Sequence, residues 1–113
     1  MLSFLRKLTA GVPSITVDEL DDLLRGDVVR LIDVREESEF RGGHVPGAVN
    51  IPKGKLGQRL DKLKKDKPYA VICASGSRSM SATGLLLDSG FEGTVSVRGG
   101  TSAWARSGRA IKR

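Results

Sequence analysis

Short apolar runs alternate with helix-period segments along the chain, and most boundaries between them carry a local signal. Thr16-Val17-Asp18-Glu19 reads as a capping box, in which a Thr hydroxyl and a Glu three residues on satisfy orphan amides reciprocally. Val17, Leu20, Leu23 and Leu24 then share one helical face, and Gly26 is expected to stop this helix in the left-handed conformation. Val28 to Val34 is a β-branched run suited to a strand buried on both faces. Glu36 to Arg41 predicts a short helical turn. Ala48 to Ile51 predicts a second strand, entered from Pro46-Gly47 and closed by Pro52.

Leu56, Leu60 and Leu63 repeat at i, i+4 and i+7 with lysines on the other faces, the pattern of an amphipathic helix. After Pro68, Tyr69 to Cys73 is a compact apolar strand. Ser79 to Ser89 predicts a helix with Leu85, Leu86 and Leu87 toward the core, and Gly90-Phe91 a Schellman end with its hydrophobic contact. Thr94 to Val97 is a last strand and Thr101 to Ser107 a last helix. Strands separated by helices predict an α/β fold, a central mostly parallel β-sheet with helices on both faces. Ligands of such sheets bind beyond the carboxyl ends of the strands, which here means after Val34, Cys73 and Val97.

Composition narrows the function classes. The 113 residues suit one domain with a core that needs neither disulfide nor metal. That domain is expected over 14–113, behind a leader at 1–13. Met1, Leu2, Leu5 and Leu8 lie near one helical face of the leader, and Gly11-Val12-Pro13 forms a hinge. The leader lacks the continuous apolar stretch of a secretory signal. It is expected to pack on the domain or fray, with a short amphipathic membrane contact as the alternative. No apolar run approaches the roughly 20 residues of a membrane span, so no stable insertion is expected. One Cys and one His supply neither a disulfide framework nor a zinc site, and no cofactor is called for. The lone cysteine suits a reducing compartment, and a cytoplasmic location is expected.

The net charge is +6, with seven basic and two acidic residues between Lys53 and Lys67 and a further basic group at Arg106, Arg109, Lys112 and Arg113. Aromatic residues make up 4% and none interleaves with the basic cluster, so base-stacking platforms are missing. A solvated helix face and a field that attracts small anions are expected, with no nucleic-acid partner.

The chemistry centres on Cys73. It ends an apolar strand, and Ala74-Ser75-Gly76-Ser77-Arg78 leads directly into a helix. Small residues and a glycine let the backbone curl so that several N–H groups face one point. The helix N-terminus and Arg78 add positive charge, which favours an anionic sulfur and would cradle an oxyanion. A free cysteine ending a core strand is commonly inert, but the glycine, the arginine and the strand-to-helix position favour a reactive thiolate.

Three segments together resemble rhodanese-like domains. Ile32 to Ala48, with Asp33-Val34-Arg35-Glu36 and Gly43-His44-Val45-Pro46-Gly47, is similar to their N-terminal signature. Cys73 to Arg78 resembles their active-site loop, and Gly99-Gly100-Thr101-Ser102-Ala103-Trp104 their C-terminal signature. The resemblance spans essentially residues 14 to 110. It implies a parallel α/β fold and a sulfurtransferase in which Cys73 is the nucleophile. The amides from Ala74 to Arg78 would hold the persulfide, and Arg78 would bind the anionic end of the donor. Four residues separate Cys73 from Arg78, the sulfurtransferase spacing, whereas related phosphatases carry one more. One departure is Arg109, where the family usually has a proline that stiffens a terminal turn; this leaves the path of the tail open.

The remaining candidates support that loop. Asp33 and Arg35 sit at a strand's carboxyl end; an ion pair from Arg35 to Glu39 that fixes the loop is expected, with direct substrate binding by Arg35 as the alternative. His44 is expected to shape its Gly-rich turn by hydrogen bonding, the alternative being a base for Cys73. Trp104 is read as a packing anchor, and Ser75, Ser77 and Ser79 as small loop formers. The implied cycle takes sulfane sulfur from thiosulfate or another small anionic donor. It delivers that sulfur to cyanide, an external thiol or an acceptor protein, because no second cysteine exists to resolve a persulfide internally. The competing readings are a non-catalytic protein-binding module of the same fold and a small phosphatase or arsenate reductase.

Overall fold

Successive side chains of the central strands face opposite ways and are buried on both sides, which sets the layers of the molecule, whose computed structural model describes residues 11–113. Residues 1–10 of the expected leader lie outside the described residues. In β2 (Arg30–Asp33) and β4 (Tyr69–Ile72), Leu31, Ala70 and Ile72 face one way, toward Leu20, Val45 and Trp104. Ile32, Tyr69 and Val71 face the other way, where Cys73, Leu56, Ala82, Leu86 and Phe91 complete a second core. The first core lies under α1 (Val17–Arg25) and α5 (Gly100–Arg106). The second lies under α3 (Lys53–Leu56), a 3-10 segment (Gly57–Lys62) and α4 (Ser77–Asp88). With β1 (Ser14–Ile15), β3 (Val49–Asn50) and β5 (Val95–Val97), the sheet has five strands in the order β1-β5-β4-β2-β3, and every pairing in it is parallel. A short α2 (Glu37–Gly42) follows β2. Among the described residues no helix is long and apolar enough to cross a membrane.

The expected α/β architecture is therefore present, with local differences. The capping box forms as expected, Thr16 N–H donating to Glu19 Oε1 at 2.9 Å and Glu19 N–H to Thr16 Oγ1 at 3.1 Å. Gly26 is not the left-handed residue, since its φ is −84° and Asp27 takes φ 54° instead. The helix ends at Arg25, before Gly26, but the left-handed position falls one residue later than expected, with Val28 N–H on Leu23 O and Asp27 N–H on Leu24 O, a Schellman end centred on an Asp that tolerates this conformation. Val28 consequently stays 46% exposed and the paired strand begins at Arg30. Gly90-Phe91 ends α4 as expected, Phe91 N–H donating to Leu86 O at 3.0 Å and Gly90 N–H to Leu87 O at 3.2 Å.

Two helical expectations need correction. The segment carrying Leu56, Leu60 and Leu63 is not one α-helix but a single α turn followed by a 3-10 run; Gly54 and Gly57 weaken the wider helix while all three leucines still reach the core. In α4, three consecutive leucines cannot share one face. Only Leu86 is fully buried, and Leu85 is exposed while Ala82 and Thr83 take the core side one turn earlier. The edge strand β1 was not expected, because two residues are too few to show a period; it is placed by pairing Ser14 with Ser96 and Ile15 with Val97.

Arg109 supplies by charge what a proline would supply by stiffness. Its guanidinium donates to Asp18 Oδ1 at 2.7 Å and Asp21 Oδ2 at 3.0 Å on α1, and lies over the Trp104 ring at 5.4 Å. Trp104 Nε1–H in turn donates to Ala110 O at 2.9 Å, so the tail is tied to both terminal helices. Arg109→Ala is expected to lower the melting temperature, and raising ionic strength is expected to shrink its difference from the native chain, because these pairs are partly solvated. Thermal melts at two salt concentrations check this; a difference independent of salt would assign the effect to ring packing alone.

Candidate active site

The carboxyl end of β4 delivers Cys73 to the floor of a small cradle. Asp33 pairs with Ile72 across β2 and β4, and Val34 N–H donates to Ile72 O at 2.9 Å, so the chain before Cys73 is held on this side. The backbone then turns through Gly76, whose φ of 116° and ψ of −16° suit a residue without Cβ, and enters α4 at Ser77. This turn brings the Gly76 amide to 3.1 Å and the Ser79 amide to 3.3 Å from Cys73 Sγ. The Ser79 hydroxyl lies 3.6 Å from the same sulfur.

Cys73 is 1% exposed, and burial alone pushes its thiol pKa up. The Ser79 hydroxyl and the amides of Ser79, Gly76 and Ser75 act the other way and outweigh burial, leaving the thiol below its ordinary value. The positive end of the α4 dipole adds to this. The arrangement can therefore hold a negative sulfur that water scarcely reaches.

A second wall comes from the start of α5. Thr101 N–H donates to Cys73 O at 2.8 Å and Ser102 N–H to Ala74 O at 3.0 Å, so a helix start grips the loop by its carbonyls. Gly100 makes the approach possible. A Cβ there would collide with the Cys73 and Ala74 carbonyl oxygens, and its φ is +58°. A cavity of about 350 Å³ borders the loop, lined by Ser75, Gly76 and Ser77 on one side and Val12, Met80, Ser96 and Arg98 on another.

The expected Arg35–Glu39 ion pair is not formed. Arg35 forks onto Asp33 instead, Nη2 donating to Oδ2 at 2.8 Å and Nε at 3.1 Å, with both residues buried. Asp33 lies only two positions away on the same strand end, which lets the fork close without an excursion of the helix. The guanidinium also donates to the carbonyls of Gly43 at 2.8 Å and Glu39 at 3.3 Å, and Asn50 Nδ2 donates to the Asp33 and Arg35 carbonyls. This network fixes the β2–α2 loop. The Glu39 carboxylate is free for Arg78, which grips it with two bonds of 2.7 and 3.0 Å.

His44 shapes its turn. Its Nδ1 meets Phe40 O at 2.8 Å, its ring stacks on Phe40 at 3.7 Å, and its backbone pairs with Lys112. Of the loop residues expected to form the cradle, Ser75 and Gly76 turn amides toward the sulfur, Ala74 is tied through its carbonyl to α5, Ser77 opens α4, and Arg78 reaches α2. Ser79, Ser96 and the Arg78–Glu39 pair were missed as site features. Starting the helix at Ser77 rather than Ser79 would have put Ser79 in the first turn, where amides lack helical partners.

A parallel α/β sheet that presents a cysteine within converging amides at a strand's carboxyl end defines the class of protein. The family model described as Rhodanese-like domain matches residues 16–107, and the chain belongs to that family. It is 31% identical over 90 residues to the thiosulfate sulfurtransferase GlpE of Shewanella oneidensis, covering 80% of this chain and 89% of that protein. Among solved structures, a rhodanese-related protein from Thermoplasma volcanium superposes with a TM-score of 0.82 at 34% identity, covering 88% of this chain and 97% of that one. The human single-domain sulfurtransferase TSTD1 does so with a TM-score of 0.78 at 30% identity, covering 85% and 97%.

Gly100→Ala is expected to cost about 3 kcal/mol of unfolding free energy, since it adds a backbone collision to a strained φ. Urea unfolding measures it, and an unchanged midpoint would mean the loop yields freely. The hydrogen bonds from Arg78, and then that from the Glu36 amide, lower the Glu39 carboxyl from 4.5 to about 2. Its folded pKa lies below its unfolded one, so its contribution is complete above about 4.5 and fades as pH falls toward about 2. Glu39→Gln is expected to flatten that part of the stability–pH curve, and parallel slopes in acid titrations of the two proteins would contradict the assignment.

Proposed function

We propose that the chain is a sulfurtransferase that carries sulfane sulfur as a persulfide on Cys73. The convergence of the Gly76 and Ser79 amides on Sγ, at 3.1 and 3.3 Å, carries this reading, because it stabilises an anionic sulfur in a buried place. The names of the Shewanella and human relatives support the activity, and the former supports thiosulfate as donor. In the first step the Cys73 thiolate attacks the sulfane sulfur of thiosulfate. The Sγ–S bond forms while the S–S bond of thiosulfate breaks, and sulfite leaves with the electron pair. In the second step cyanide or a thiolate attacks the outer sulfur, and Cys73 Sγ leaves as thiolate with the pair of the persulfide bond.

Arg78 binds the donor's oxyanion in this scheme; a guanidinium has five N–H donors, and Glu39 engages two of its nitrogens. Asp33, Arg35 and His44 hold the surrounding loops. One cysteine in 113 residues means that the acceptor comes from outside the chain, as a small thiol or a partner protein.

Intact-protein mass spectrometry after incubation with thiosulfate, followed by a cyanide wash, tests the cycle. One sulfur is expected on Cys73, removed by cyanide and absent from Cys73→Ala. Folded, reduced protein that gains no sulfur, or sulfur transfer surviving in Cys73→Ala, would overturn the proposal.

A further inference from the structure

Two buried serine hydroxyls stand in line behind the sulfur. Ser79 Oγ lies 3.6 Å from Cys73 Sγ and 2.8 Å from Ser96 Oγ, and both serines are at most 1% exposed. They arrive from different elements. Ser79 is in the first turn of α4, and Ser96 is in the middle of β5. Ser96 pairs in register with Val71, so it shares the sheet face that holds Val71 and Cys73 and that α4 covers.

Each hydroxyl has one proton and two lone pairs. While Cys73 is a thiol, its S–H donates to Ser79 Oγ, and Ser79 donates its own proton to Gly76 O at 3.0 Å. A thiolate has no proton to give and needs one aimed at it. Ser79 must then turn its hydrogen from Gly76 O to the sulfur, and its oxygen loses the donor it had. Ser96 can supply a replacement only by donating to Ser79. If Ser79 donated to Ser96 instead, no proton would remain for the sulfur.

We propose that Ser96 is a positioning residue, which donates to Ser79 Oγ and thereby keeps the Ser79 proton available to the anionic sulfur of Cys73. This rests on the reading of Cys73 as the sulfur-carrying nucleophile and deepens it. In the acceptor step Sγ leaves with the electron pair of the persulfide bond, and the Ser79 hydroxyl bond strengthens as that charge develops. The order of the two hydroxyls then sets how good a leaving group Cys73 is. The charges around the sulfur are Arg78 with Glu39, the Asp33–Arg35 pair beyond β2, and Arg98 beyond β5. Serine variants leave all of them in place.

The test is the pH profile of Cys73 alkylation by iodoacetamide, with a thermal melt of each variant to confirm folding. The midpoint is read rather than the rate at one pH, because thiolate nucleophilicity itself rises with pKa. Ser79→Ala is expected to raise the midpoint by about one pH unit, and Ser96→Ala by about half a unit. Ser96→Thr, which keeps the hydroxyl, restores it. In the Ser79→Ala background Ser96→Ala adds nothing, since it acts only through Ser79. An unmoved midpoint in Ser96→Ala, or a shift that persists without Ser79, overturns the proposal. Ser96→Gly removes the same hydroxyl with less bulk and must reproduce the shift if the alanine variant does not fold. Alkylation does not require sulfur transfer, so the profile stays readable if the persulfide assay fails. An unshifted profile in a protein that loads sulfur overturns the serine pair alone.

Discussion

The proposed function requires Cys73, a residue only 1% exposed, to carry negative charge on its sulfur, and the arrangement around it meets that requirement. Removing a charge from water is costly unless fixed dipoles replace the water. Here the replacement is made of backbone. The Gly76 and Ser79 amides point at Sγ because the chain turns through a glycine and starts a helix there. That turn needs a strand ending at the right height, so Cys73 follows β4, the central strand, which is paired on both sides by β5 and β2. The sheet order thus serves the site by setting the cradle on a strand that is hydrogen-bonded on both sides.

The walls follow the same logic at longer range. Gly100 lets the start of α5 close on the Cys73 and Ala74 carbonyls, so the groups that face the sulfur are braced from behind by groups that face away from it. On the other side two arginines divide the work. Arg35 is buried against Asp33 and spans carbonyls of α2 and its exit, which makes it part of the frame. Arg78 is partly exposed and held by a carboxylate on α2, which keeps a long side chain in one place beside the cradle. The buried fork at the end of β2 and the partly solvated fork between α4 and α2 are therefore not interchangeable.

Much of this was legible in the chain because it is local. The Thr16–Glu19 box, the Schellman end at Gly90-Phe91, the strand before Cys73 and the glycine after it are each encoded within a few neighbouring residues. Partner choice was less legible. Glu39 is one helical turn from Arg35 in sequence, which suggested that pair, yet Arg78, 39 positions away, takes the carboxylate because the sheet brings α4 beside α2. Likewise β1 has no pattern of its own and exists by pairing with β5. The Leu56–Leu63 segment kept its apolar spacing, but two glycines decided its winding. Where long-range geometry chooses among equivalent local options, spacing alone cannot choose.

The same division applies to the reactivity of Cys73. The amides of Gly76 and Ser79 lie within six residues of the cysteine, so they can assemble with the start of α4 alone. The Ser79 hydroxyl is also local, but its orientation depends on Ser96, 17 residues further on and in another strand. The grip of α5 on the loop comes later still in the chain. A fragment ending after α4 would carry the cysteine and most of its donors yet lack the parts that aim and brace them. On the proposed function, the reactivity of Cys73 therefore belongs to the closed sheet, because Ser96 on β5 meets the Ser79 hydroxyl and Gly100 lets α5 brace the loop.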